Sequence, residues 1–158
     1  MAQPGDNGVQ TIPVEHADEL AAALRSWLAT ASSGDYIAVA AYLPHDEATN
    51  DALNSIRLAL RERTRLATTL GYGPRLLHST GQLHKGGPNS GLFLQIVDQP
   101  ADPKPVPESD YSFGDLIRAQ ALGDALALRE RGRRVLRVNL GRRRAEGLSE
   151  LLGIVRAG

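Results

Sequence analysis

Two stretches, DYIAVAAYL (Asp35 to Leu43) and GLFLQIV (Gly91 to Val97), are almost unbroken in apolar residues. Each is only long enough for a strand. Apolar runs of that length, bounded by glycine and proline, suit strands covered on both faces, the habit of parallel sheets. A chain built on such strands must also supply helices for both sides of the sheet. Helical spacing predicts the first of them, with Leu20, Leu24, Trp27 and Leu28 on one face, Glu15, Asp18 and Glu19 at its positive end, and Ser32-Ser33-Gly34 closing it. Asp46 can cap a second helix whose stripe is Leu53, Ile56 and Leu60. Ser112 with Asp115 has capping-box spacing and predicts a helix to Arg131, stopped at Gly132. Leu148, Leu151, Leu152 and Val155 mark a last helix.

The remaining segments are extended or irregular. RLATTL predicts a short strand, and GYGPRLL a turn with a second extended piece. RVLRVNL puts Leu136, Val138 and Leu140 on one face and Arg137 and Asn139 on the other. That alternation suits an edge strand or one beside a polar site. DQPADPKPVPESDY is a proline-rich surface loop. The alternation of helix and strand predicts an α/β fold, a three-layer α/β/α sandwich with a mainly parallel sheet. Residues 1–14 read as a flexible tail and residues 15–158 as a single domain. Ligands of such sheets bind outside the carboxyl ends of the strands.

Composition narrows the functional classes. There is no cysteine, which excludes disulfides and thiolate chemistry and suits a cytoplasmic setting. No apolar run approaches the roughly 20 residues of a membrane span, and MAQPGDNGVQ has no signal-peptide core. The 18 basic and 18 acidic residues cancel, and aromatic residues are 4% of the chain, so nothing asks for nucleic acid or a membrane. Sixteen of the basic residues are arginine; the two lysines are Lys85 and Lys104.

Lys85 falls in HSTGQLHKGGPNSG, His78 to Gly91, the segment densest in chemistry. Gly81, Gly86, Gly87 and Gly91 let a ligand approach the main chain. Ser79 and Thr80 can donate to phosphate or sugar oxygens, Gln82 can donate and accept, and Lys85 offers a point charge. A histidine can pass protons. The set suits a polyol or sugar phosphate; the plainer alternative is a polar turn that satisfies itself. His78 follows two leucines and reads as a buried, hydrogen-bonded histidine, whereas His84 reads as functional. A His78/His84 metal pair is not expected, because no carboxylate lies nearby in sequence. Glu62, taken alone, is a solvated charge near a helix end, and Arg133, Arg134 and Arg142 to Arg144 are solvated clusters or contacts for phosphate or carboxylate.

The segment TTLGYGPRLLHSTGQLHKGGPNSGLFLQI, continued by FGDLIRAQALGDALALRERGRRVLRVNLG, resembles the C-terminal sugar isomerase (SIS) subdomain of glucose-6-phosphate isomerase, in the version fused behind transaldolase in some bacterial enzymes. The resemblance spans roughly residues 16 to 141. It implies a doubly wound α/β sandwich and metal-free, cofactor-free interconversion of glucose 6-phosphate and fructose 6-phosphate. In the family a histidine after a Gly-Gln pair opens the sugar ring, which points to His84, one place later than usual behind Gly81-Gln82. A glutamate near a helix end moves the proton between carbons 1 and 2, and Glu62 holds that position. Ser79, Thr80, Gln82 and Lys85 become candidate substrate contacts. The family's glutamine and lysine after the last strand have no counterpart in GRRRAEGLSELLGIV. A complete isomerase has two SIS halves, so the resemblance implies an excised domain or a separately encoded half. The partners it implies are a hexose phosphate, the other half, a transaldolase domain and further copies of the chain. A non-catalytic sugar-phosphate-binding module and a purely structural interaction domain are the competing expectations.

Overall fold

A computed structural model of the protein describes residues 9–100 and 102–158. The chain runs β1 (Thr11–Pro13), α1 (Ala17–Leu28), β2 (Tyr36–Tyr42), α2 (Glu47–Thr64), β3 (Ala67–Tyr72), a 3-10 turn (Arg75–His78), α3 (Thr80–Gly86), β4 (Gly91–Val97), α4 (Phe113–Glu130), β5 (Arg134–Asn139) and α5 (Arg144–Ala157). The strands form one five-stranded sheet in the order β1-β5-β4-β2-β3. Every pairing is parallel. The two apolar runs are neighbours, with Ile37 opposite Leu92 and Ala41 opposite Ile96. The chain is thus an α/β protein with a parallel sheet between two helical layers, as the apolar runs require. No helix among the described residues is long and apolar enough to cross a membrane.

Helices α1, α2 and α5 cover one face. Leu20, Leu24 and Trp27 of α1, Leu53, Ile56 and Leu60 of α2, and Leu148, Leu151 and Val155 of α5 join Ile37, Val39, Leu92, Leu94, Ile96, Leu136 and Val138 in one core. Helices α3 and α4 lie on the other face, where the apolar clusters are small: Ala38, Phe93 and Leu128 in one, Tyr42, Val97 and Ala121 in the next. Between them sit buried polar groups. Arg137 donates from Nε to Gln95 Oε1 (2.8 Å) and from a terminal nitrogen to Thr11 Oγ1 (2.7 Å), while Gln95 Nε2 donates to the Ala121 carbonyl (2.8 Å). Such groups tolerate burial because each has a partner.

The helix starts follow the sequence. Asp46 Oδ1 accepts from the Thr49 amide at 2.8 Å. The Asp115 amide donates to Ser112 Oγ while the Ser112 amide donates to Asp115 Oδ2, completing the capping box. Donation from the Ser112 hydroxyl and then its amide, with Arg118, holds the Asp115 carboxyl down at about 2. Gly132, at φ +69°, makes the left-handed stop after α4.

Three expectations are corrected and a fourth is narrowed. The tail does not extend to residue 14: Thr11–Pro13 adds a parallel strand to β5, and residues 1–8 of that tail lie outside the described residues. Consequently β5 is an inner strand, and of the two readings its alternation allowed, the strand beside a polar site holds, with Arg137 in the Gln95 network. GYGPRLL contributes the end of β3 and then a 3-10 turn, with Leu76 packing over Gly71. The glycine-rich motif is more than the polar turn its composition allowed; its centre is the helix α3.

Candidate functional site

Helix α3 leans on the sheet through His84 and on the 3-10 turn through Gly81, three residues apart and both buried. Gly81 is required for the approach to the turn, since a Cβ there would stand 2.7 Å from the Leu76 carbonyl oxygen. The His84 ring is 4.9 Å from the Phe93 ring and 5.9 Å from Tyr36. Burial pushes the His84 pKa down; Asp124 opposes this and Lys85 adds to it. Lys85 Nζ stands 2.7 Å from Asp124 Oδ1 on α4. Asp124 in turn lies near Tyr42, whose hydroxyl pKa is raised first by burial and then by that carboxylate. Arg133 closes the end of α3 by donating to the carbonyls of His84 (3.1 Å), Lys85 (3.1 Å) and Gly87 (2.6 Å). A guanidinium on the last carbonyls of a helix stabilises it both as donor and as charge. His84 and Lys85 therefore carry structural work, locking α3 to β2, β4 and α4.

The other sequence candidates scatter. Ser79, Thr80 and Gln82 are exposed around the start of α3. Glu62 is exposed near the carboxyl end of α2, two residues past the buried Leu60. Since α2 packs on the α1–α5 side and His84 on the α3–α4 side, the sheet stands between the proposed base and the proposed acid. This chain does not bring them together. His78, expected to be buried, is exposed at the carboxyl edge. No group of three or more His, Asp or Glu side chains able to hold a metal occurs among the described residues.

The carboxyl edge has its own geometry. The chain leaves β1, β5 and β2 toward the α1–α2–α5 face, and leaves β4 and β3 toward the α3–α4 face. Each reversal between neighbouring strands opens a crevice. One of about 710 Å³ runs past the ends of β5 and β4 and is lined by Arg118, Arg137, Arg142, Arg143 and four carboxylates, Glu15, Asp98, Glu146 and Glu150. Asp98 is buried, which raises its pKa against the pull of Arg144, 3.3 Å away. A smaller cleft of about 300 Å³ lies between β4 and β2 under Pro100, Pro103 and Lys104 of the proline-rich loop. The third, about 530 Å³, opens between β2 and β3 and is lined by His45, Tyr72, Arg75, His78 and Gln120 among apolar side chains. Sequence reasoning passed over His45 and Arg75. The available signal was their place immediately after two strands, His45 behind DYIAVAAYL-Pro44 and Arg75 behind Gly73-Pro74.

No protein-family model matches the chain, and no curated protein matches it. Among solved structures it is similar to the hypothetical protein TT0462 from Thermus thermophilus, with a TM-score of 0.64 and 18% identity over 90% of this chain. At that identity the likeness concerns the fold alone. The chain spans 41% of the length of that protein.

Proposed function

We propose that this chain is a SIS domain of the glucose-6-phosphate isomerase kind: it binds a hexose phosphate and works with a second domain in the interconversion of glucose 6-phosphate and fructose 6-phosphate. The observation that carries this reading is the segment from Thr68 to Ile96, whose family-like sequence folds as one β3–turn–α3–β4 unit, with its turn starting at the carboxyl edge. A doubly wound parallel sheet is the architecture the resemblance implies, and the longer structural neighbour leaves room for a second domain. Phe113, Leu116 and Ile117, exposed on α4, offer apolar surface to such a partner, whether the other SIS half, a transaldolase domain or a further copy of the chain. A cytoplasmic setting goes with this reading.

Aldose–ketose isomerisation needs a phosphate clamp, a ring-opening acid and an enediol base in one geometry, and a displacement of about 1 Å can cost on the order of 10²-fold. With the sheet between Glu62 and His84, the isolated chain lacks that geometry. The same separation favours the second reading, a sugar-phosphate-binding module without catalysis of its own. A coupled assay with fructose 6-phosphate distinguishes the two. The chain alone is expected to show little or no turnover. Addition of a complementary SIS half, fused or in trans, restores turnover on the first reading and leaves it absent on the second. Robust activity of the chain alone that survives Glu62→Gln overturns both the half-site argument and the assignment of Glu62 as base.

A further inference from the structure

We infer that the cleft between β2 and β3 is where this domain holds a phosphorylated sugar, with Arg75 taking the phosphoryl group and His45, His78 and Gln120 facing the sugar. The inference rests on the sugar-phosphate reading above and names a site for it. Its volume of about 530 Å³ is within the usual range for small-molecule sites.

Charge separates this cleft from the others. Its lining contains an arginine and two histidines and no carboxylate. The larger crevice at β5 and β4 carries four carboxylates, and three of its four arginines are engaged: Arg118 with Asp115, Arg143 with Glu146, and Arg137 with Gln95 and Thr11. Arg144, at the start of α5 beside it, pairs with Asp46 and Asp98. A dianion entering there displaces an existing ion pair or meets an acid. A fourth cleft, at the amino edge, has Arg25, Arg63 and Arg65 in its lining, but it sits among the carboxyl ends of α1 and α2. There the helix carbonyls repel an anion, and Arg63 already donates to the Val155 carbonyl. Arg75, by contrast, is exposed and makes no ion pair among the described residues.

The cleft is also rigidly built. The His45 ring packs at a tilt against Tyr72, with ring centres 4.4 Å apart, and the Tyr72 hydroxyl donates to Asn50 Oδ1 at 3.2 Å. Gly73 lies so close beneath the Tyr42 ring that a Cβ would come within 2.3 Å of it, and its amide donates to the Ala41 carbonyl at 2.9 Å. The backbone that presents Arg75 and His78 is thereby fixed to the end of β2. Gln120 reaches the cleft from α4.

The test is an amide-resolved NMR titration of the whole chain with fructose 6-phosphate, inorganic phosphate and unphosphorylated fructose. Fructose 6-phosphate is expected to move the amides of His45, Tyr72, Gly73 and Arg75 to His78, inorganic phosphate the same set more weakly, and fructose few or none. Losing a charge-assisted bond through Arg75→Gln is expected to weaken fructose 6-phosphate binding by about tenfold or more, with Arg75→Lys intermediate and Arg142→Gln without effect. An unchanged spectrum away from the cleft certifies that each variant is folded. Saturable binding that instead moves residues 118 and 141–147 and survives Arg75→Gln overturns this site and leaves the sugar-phosphate reading standing. No shift with millimolar fructose 6-phosphate overturns both.

Discussion

On the side covered by α1, α2 and α5, the strands present Ile37, Val39, Leu94, Ile96, Leu136 and Val138, and the helices answer with leucines. On the side covered by α3 and α4, the same strands present Tyr42, Gln95 and Arg137, and the helices answer with His84, Lys85 and Asp124. The first face is held by area removed from water, a diffuse force that accepts many packings. The second is held by directed bonds whose members lose little net free energy when all are matched and a great deal when one is removed. Specificity of position belongs to the second face, and the motif helix is part of it.

The largest effects should come from the apolar face. Leu53 and Leu151 are both 0% exposed, and truncation of either to alanine is expected to cost about 2–5 kcal/mol, read from the urea midpoint at constant slope. A loss below about 1 kcal/mol at both positions breaks the contrast. Next comes the ion pair of the polar face. Lys85→Ala strands Asp124, whose side chain is 3% exposed. Because the lysine side chain keeps 24% exposure, the cost is put at the low end for a broken buried pair, about 2–3 kcal/mol. Replacing both partners, Lys85→Met with Asp124→Leu, should recover most of that loss. A double variant as unstable as the two single losses added together shows the pair to be uncoupled.

The smallest effect is a pH dependence. Burial holds the folded-state pKa of His84 below its ordinary value of 6.5. Acidification therefore protonates the unfolded chain first. The stability tied to a neutral His84 is complete above about 6.5 and is lost as pH falls through that value toward the lower folded pKa. Asp124 and Lys85 face the ring from α4 and α3 and act on it in opposite directions. His84→Leu should flatten the fall in Tm across this window, and a slope identical to the parent assigns the titration to another group.

Much of this fold was legible because it is written in repeated, local signals. The apolar runs at 36–42 and 91–97, the Asp46 cap and the Ser112–Asp115 box each act within a few residues, and each stands where expected. Strand β1 was hidden by its length: three residues ending in Pro13 carry no period. Helix α3 was hidden by glycines, which lower helix propensity while tertiary contacts decide the outcome. Those same glycines made its polar residues look available. The burial of the two histidines is the reverse of the expectation because that of His84 depends on Phe93 and Tyr36, which the local sequence does not announce. Glu62 matched the family by position along the chain, and position along the chain does not say which side of a sheet a helix covers.

The pairing of β1 with β5 bears on how the chain is made. β1 leaves the ribosome early, and its neighbour in the sheet follows late: 126 residues separate Thr11 from Arg137, which are both paired in the sheet and hydrogen-bonded. At synthesis rates of about 5–20 residues per second, β1 waits on the order of 10 s for its place, while β2, β3 and β4 can already assemble. A long apolar strand waiting that long beside the open edges of a growing sheet is an invitation to wrong pairing. β1 is three residues with a proline at its end, too short and too poor in donors to settle anywhere but beside the finished β5.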